Sequence, residues 1–258
     1  MIVRTRPSII LFGDSITQQG FSGWVSRLSD AYTRRADVLN RGYSGYNTRH
    51  ALDMLPYVYG PDCNAEDDKT DNVLMVTVFF GANDASLPGD REHCQHVPID
   101  EYESNLRKIV KSIRAKLPKQ VIEQKVLSPP ILLFTPPPID AKKWDKCCLE
   151  TFNDTSPRAN PTAKAYGDRV KCIANDMDCI TVDSFALLGG DHEQGEAFYG
   201  QHLEDGLHLN ELGNKRLYEG LIDTIRRELP DIAPMEDGEG RYGGKGISLQ
   251  GKLWKELC

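Results

Sequence analysis

Four short stretches of the chain carry side chains whose types and placement suit acyl transfer. Gly13-Asp14-Ser15-Ile16 sets a hydroxyl directly after the apolar run Ile9–Phe12, where a strand gives way to a helix. A serine there lies in the positive field of unpaired backbone N–H groups, which suits a nucleophile, and an ordinary serine N-cap is the competing explanation. Gly81-Ala82-Asn83-Asp84 follows Val73–Phe80, and Asn83 could donate a hydrogen bond to developing negative charge or simply close an Asx turn. In Asp205-Gly206-Leu207-His208 a carboxylate three residues before an imidazole can hold one ring nitrogen while the other faces outward, although a lone pair of this kind is more often structural. The loop Asn40–Asn47 has two glycines, Gly42 and Gly45, that let backbone N–H groups approach a ligand; alone it is only a turn. Order and placement join the four, because together they supply a nucleophile, oxyanion donors, a base and an orienter.

The elements that must position them are legible as a pattern. Five β-branched-rich apolar runs recur, Ile9–Phe12, Val38–Leu39, Val73–Phe80, Ile131–Thr135 and Ile180–Val182, and their continuous apolarity suggests strands covered on both faces. Helical spacing separates them over Trp24–Ala36, Arg49–Tyr57, Tyr102–Leu117 and Thr162–Met177, with Asp100 and Glu103 placed as an N-cap and its N3 partner. A last helix carries Leu217, Leu221, Ile225 and Leu229 and stops at Pro230. Strand–helix alternation predicts a parallel sheet with helices on both sides, whose reactive groups collect beyond the carboxyl ends of the strands. Pro61–Asn72 reads as an acidic surface excursion and Pro136–Pro161 as a long connection forming a lid or pocket wall. Residues 1–230 are expected to form one domain, followed by a Gly-, Pro- and charge-rich tail, 231–258, whose end near Trp254 reads either as a short docking helix or as disordered chain.

Composition narrows the class. The 258 residues are 40% apolar and 27% charged, enough for a full core. A net charge of -7 without a basic block disfavours nucleic acid, and no apolar stretch approaches the roughly 18 residues of a membrane span. The N-terminal apolar run is too short for a signal peptide, so the seven irregularly spaced cysteines are expected as free thiols of a cytoplasmic protein, with the sequon at Asn153 silent. His93-Cys94-Gln95-His96 and Cys147-Cys148 lack the spacing of a zinc site, and Asp14 with Asp84 lacks a third acid at a strand end, so no metal is expected. Gly238–Gly243 formally matches a dinucleotide fingerprint but neither follows a strand nor opens a helix, and Gly244-Lys245 makes no Walker loop; no cofactor is implied.

In these blocks the sequence resembles the SGNH (GDSL) hydrolase superfamily, with Ile16 standing where the family name has Leu. The wider runs Leu11–Thr17, Tyr32–Gly42 and Phe80–Ala85 are similar to its isoamyl acetate-hydrolysing esterase branch. The resemblance implies a three-layer α/β/α sandwich around a mostly parallel five-stranded sheet, of flavodoxin-like type. It further implies Ser15 as nucleophile, His208 as general base and then acid, Asp205 as its orienter, and an oxyanion hole of the Ser15 and Gly45 backbone N–H groups with the Asn83 amide. Asp14 and Asp84 are then scaffold residues. The expected activity is hydrolysis of small esters, acetates of short hydrophobic alcohols, with thioesterase or lysophospholipase action on the same triad as the alternative. A catalytically idle ligand- or partner-binding domain is the alternative of another class, and retention of Ser15, Asn83, Asp205 and His208 counts against it. The pocket would be built by the loops 85–98 and 136–161, with Leu87, Val97, Ile139 and Trp144 as apolar wall. A homodimer is compatible with the resemblance, anchored by Leu253, Trp254 and Leu257.

Overall fold

Continuous apolar strands need cover on both faces, and the chain supplies it. The computed structural model describes residues 6–60, 73–88, 95–117, 120–122 and 125–234. In chain order these form β1 (Ser8–Gly13), α1 (Ser15–Gln19), α2 (Trp24–Ala31), β2 (Asp37–Gly42), α3 (Thr48–Tyr59), β3 (Val73–Phe79) and α4 (Ile99–Lys116). Then follow β4 (Gln120–Ile122), β5 (Lys125–Leu127), β6 (Ile131–Phe134), α5 (Ala141–Phe152), α6 (Asn160–Asp176) and β7 (Ile180–Val182). The short α7 (Ser184–Leu187) and α8 (Glu196–Tyr199) lead to α9 (Glu211–Glu228). The main sheet runs β2-β1-β3-β6-β7 and all its pairings are parallel, while β4 and β5 make a separate antiparallel hairpin. This is the expected α/β/α sandwich.

Alternate residues of each strand feed two cores. Ile10, Phe12, Val76, Val78, Ile131 and Leu133 pack under α3, α4 and α6. Ile9, Leu11, Met75, Leu132, Phe134 and Val182 pack under α2, α5 and α9. Register fixes the height at which the loops leave the sheet: Gly13 of β1 pairs with Gly42 of β2 on one side and with Phe79 of β3 on the other. The order of strands reverses direction at β1, so a crevice opens between the loops after β1 and β3, the usual place for a site in such sheets.

Several element boundaries depart from the sequence expectations. α4 is capped by Pro98, whose carbonyl accepts from Tyr102 N at 2.8 Å, so Asp100 lies inside the first turn and not at the N-cap. Glu103 does not reach back to that cap, because its carboxylate is held by Arg107 and Arg169. α2 ends at Ala31 rather than Ala36, since the chain turns through Arg34 at φ 69° to enter β2. The connection 136–161 is not irregular throughout: Asp140 caps α5 by accepting from Lys143 N, and Asn153 ends it in the left-handed conformation. The acidic excursion 61–72, the pair His93-Cys94 and the chain from 235 onward, where a docking helix and a dimer anchor were expected, lie outside the described residues. Before that point, Tyr32 Oη donates to Ile232 O at 3.0 Å and Arg35 donates to Ala233 O at 2.6 Å, which pins the segment after α9 against α2. No helix among the described residues is long and apolar enough to cross a membrane.

Gly42 shows how tightly α1 sits on the sheet. A Cβ there would overlap the backbone of Thr17 and Gln18, in the helix that carries Ser15. Backbone cannot rotate aside as a flexible side chain can, so Gly42→Ala is expected to cost about 2 kcal/mol or more in urea unfolding.

Candidate active site

Ser15 opens α1 at the carboxyl end of β1, but it is not the helix cap. That position belongs to Asp14, whose Oδ1 accepts from Ile16 N at 2.9 Å, leaving the Ser15 hydroxyl uncommitted to the helix. It is committed elsewhere: Ser15 Oγ lies 2.8 Å from His208 Nε2, and His208 Nδ1 lies 2.6 Å from Asp205 Oδ2. A carboxylate can only accept, so Nδ1 carries the proton and Nε2 is free to take the one on Ser15. The three residues form one relay across 193 positions of sequence separation.

Asp205 is locked by its own turn. Its Oδ1 accepts from Leu207 N and His208 N at 2.9 and 2.8 Å, which fixes the carboxylate relative to the ring it orients. Burial alone would raise its pKa, but the hydrogen bond and charge of His208, with the two backbone donors, lower it to about 2. It is a carboxylate throughout the neutral range. Trp144, from α5, stands edge-on to His208 with ring centroids 5.8 Å apart and donates Nε1 to Ser156 O.

Gly45 and Asn83 sit on the loops after β2 and β3. Gly45 adopts φ +80°, a conformation that a side chain would strain, and its N–H donates to no acceptor among the described residues; the same holds for Ser15 N–H. Asn83 is 3% exposed. It does not close an Asx turn: one amide hydrogen goes to Tyr46 O at 2.8 Å, and its Oδ1 accepts from Arg158 at 3.2 Å. These bonds settle the orientation of the amide and leave its second hydrogen to donate elsewhere.

Arg158 was not singled out from the sequence, where it is a lone cation between Pro157 and Asn160-Pro161 with no pattern to mark it. In the structure it is 5% exposed and lies over the Trp144 ring, 5.3 Å from the centroid. The apolar wall expected from the loops is mostly something else: Val97 and Ile139 are buried in the two cores, Leu87 is partly buried, and only Trp144 touches the relay.

Two further carboxylates underlie the site. Asp84 Oδ1 accepts from Thr48 N at 2.9 Å and from its hydroxyl at 2.5 Å, tying the start of α3 to the loop after β3. Burial raises the Asp14 pKa to about 7 and that of Asp84 to about 6, and in each the second oxygen is buried without a partner. Among the described residues no three His, Cys, Asp or Glu side chains form a group suited to a metal ion. A carboxyl whose pKa is raised by folding binds its proton more tightly in the native state, so stability rises as pH falls from about 7 towards the ordinary carboxylate range near 4. Asp14→Asn keeps an Oδ1 cap and removes the ionisation. Urea unfolding at a series of pH values is therefore expected to show the variant gaining on the wild type above pH of about 6 and losing that advantage below about 5.

Comparison with known proteins gives the family and the fold. The profile of the GDSL-like lipase/acylhydrolase family matches residues 9–221, a span that holds the whole relay. An isoamyl acetate-hydrolyzing esterase 1 homolog of Rattus norvegicus is 36% identical over 90% of this chain and 89% of its own length. A GDSL esterase/lipase of Arabidopsis thaliana is 38% identical over 86% of this chain and 87% of its own. Among solved structures, an acetyl xylan esterase superposes with a TM-score of 0.60 at 20% identity, covering 84% of this chain and 99% of that one, a likeness of fold. With its fold, its blocks and its relatives in accord, the chain belongs to the GDSL-like lipase/acylhydrolase family of ester hydrolases.

Proposed function

We propose that the protein is a serine esterase acting on small carboxylic esters, acetates of short hydrophobic alcohols, in the cytoplasm. The observation that carries the mechanism is the relay Ser15–His208–Asp205 at 2.8 and 2.6 Å. The small-ester substrate is supported by the isoamyl acetate-hydrolyzing esterase homologs among its relatives, and the compartment by the unpaired thiols of Cys147, Cys148, Cys172 and Cys179.

His208 Nε2 takes the hydroxyl proton as Ser15 Oγ attacks the ester carbonyl, and the imidazolium so formed is stabilised by the Asp205 carboxylate. The carbonyl oxygen becomes an oxyanion, held by the N–H groups of Ser15 and Gly45 and the free amide hydrogen of Asn83. Collapse of this intermediate expels the alcohol, to which His208 returns the proton. Water repeats the sequence on the acyl-enzyme, releasing the acid and free Ser15. Asp14 contributes by capping α1 in place of Ser15.

Nitrophenyl acetate turnover is expected to disappear in Ser15→Ala, together with labelling by a fluorophosphonate. Asn83→Ala is expected to lower kcat about a hundredfold, on the order of 3 kcal/mol, with a small change in KM. Turnover rising steeply from acetyl to long-chain nitrophenyl esters would replace the small-ester reading with a lipase or thioesterase one.

A further inference from the structure

The buried guanidinium of Arg158 is linked to two of the three loops that hold the oxyanion donors, those of Gly45 and Asn83. One of its nitrogens donates to Ala82 O, and the other is shared between Asn83 Oδ1 at 3.2 Å and Gln95 Oε1 at 2.8 Å. Gln95 passes the restraint on, since its Nε2 donates to Gly45 O at 2.9 Å and its own carbonyl accepts from Asn47 Nδ2 at 3.0 Å. Asn83 in turn donates to Tyr46 O. Both donor-bearing segments, 45–46 and 82–83, are thereby tied to one side chain.

Its electrostatic situation is unusual. A buried charge is expensive unless paired, yet among the described residues no carboxylate lies at ion-pair distance from Arg158, and its acceptors are neutral carbonyl oxygens and a tryptophan face. Burial lowers its pKa only to about 10, with Asp14 opposing the shift from a distance, so it stays a cation at neutral pH. A charge left without a close partner in the resting enzyme gains one when negative charge develops nearby. Stabilisation that appears only with the intermediate acts on kcat and not on ground-state binding.

Resting on the Ser15 esterase reading, we propose that Arg158 is a positioning residue for the oxyanion hole, fixing the Asn83 amide directly and Gly45 through Gln95, and polarising that amide towards the oxyanion. The alternative is that Arg158 only anchors its own loop, which meets the loop after β3 through a Ser86–Arg158 bridge and the bond Leu87 N to Pro157 O.

The two are separated by a double-mutant cycle on nitrophenyl acetate, with folding followed by circular dichroism and thermal melting. Arg158→Met is expected to lower kcat about thirtyfold or more with KM changed less than about threefold. Placed on Asn83→Ala, the same change is expected to cost less than about tenfold further, because the amide it positions is gone and only its hold on Gly45 through Gln95 is left to lose. Arg158→Lys, which keeps the charge but cannot span both acceptors, is expected to fall between. If Arg158→Met does not fold, Gln95→Leu carries the test, with an expected loss in kcat of about fivefold and unchanged KM. An unchanged kcat in the folded variants, or an equal loss with and without Asn83, overturns the proposal. Ser15→Ala run alongside tells the failures apart: activity surviving it overturns the esterase reading and this proposal together, whereas activity lost there but kept in the Arg158 or Gln95 variants overturns this proposal alone.

Discussion

Parallel pairing of β1 with both β2 and β3 is the constraint on which the site depends. Because Gly13, Gly42 and Phe79 are held in register, the loops carrying Ser15, Gly45 and Asn83 leave the sheet at one level and meet. The sheet is rigid for an ordinary reason: its central strands β1, β3 and β6 are apolar on both faces and closed between two helical layers, so their ends cannot shift without disturbing both cores. His208 and Asp205 arrive from the other end of the chain, on the turn before α9, whose buried leucines and isoleucines fasten it to the same sheet.

Around that frame the charged groups are arranged by depth. Asp205 is partly open and tied by three hydrogen-bond donors, which keeps it ionised. Asp14 and Asp84 are fully enclosed and hold backbone and a hydroxyl in place, one at the start of α1 and the other at the start of α3. Burial favours their neutral forms, the opposite outcome from Asp205 for the same functional group. Arg158 completes the set as the enclosed cation.

The five strands of a parallel sheet, both helical layers and the blocks that supply the relay were legible in the sequence because each is a local signal: an apolar run, a 3.6-residue spacing, a serine or Asp-x-x-His beside a strand end; the order of the strands was not. Ser15, Asn83, Asp205 and His208 each sit in a block whose residue types suggest a role without knowing what lies across the fold, whereas the part expected of Gly45 came from the family resemblance. What could not be read depends on partners distant in sequence. Pro98 displaced Asp100 as the cap of α4, because Arg107 and Arg169 claim Glu103 and leave no capping box to form. Arg158 gains its place from Ala82, Asn83 and Gln95, more than sixty residues away. α5 did carry a signal, an N-capping Asp140 with Trp144 and Cys148 four residues apart, hidden by the prolines on either side.

The 193-residue span between the hydroxyl and the imidazole also bears on how the protein is made. A nascent chain carries Ser15 well before the imidazole that meets it, which emerges only after all five strands of the main sheet have been translated. Until then the serine hydroxyl has no imidazole beside it, and the next helix, α2, lacks Asn214, whose side chain accepts from Trp24 N at 3.2 Å. On the esterase reading proposed above, nucleophilic reactivity is thus a property of the finished fold, because Gly45 and Asn83 are already on the chain when His208 arrives to complete the relay.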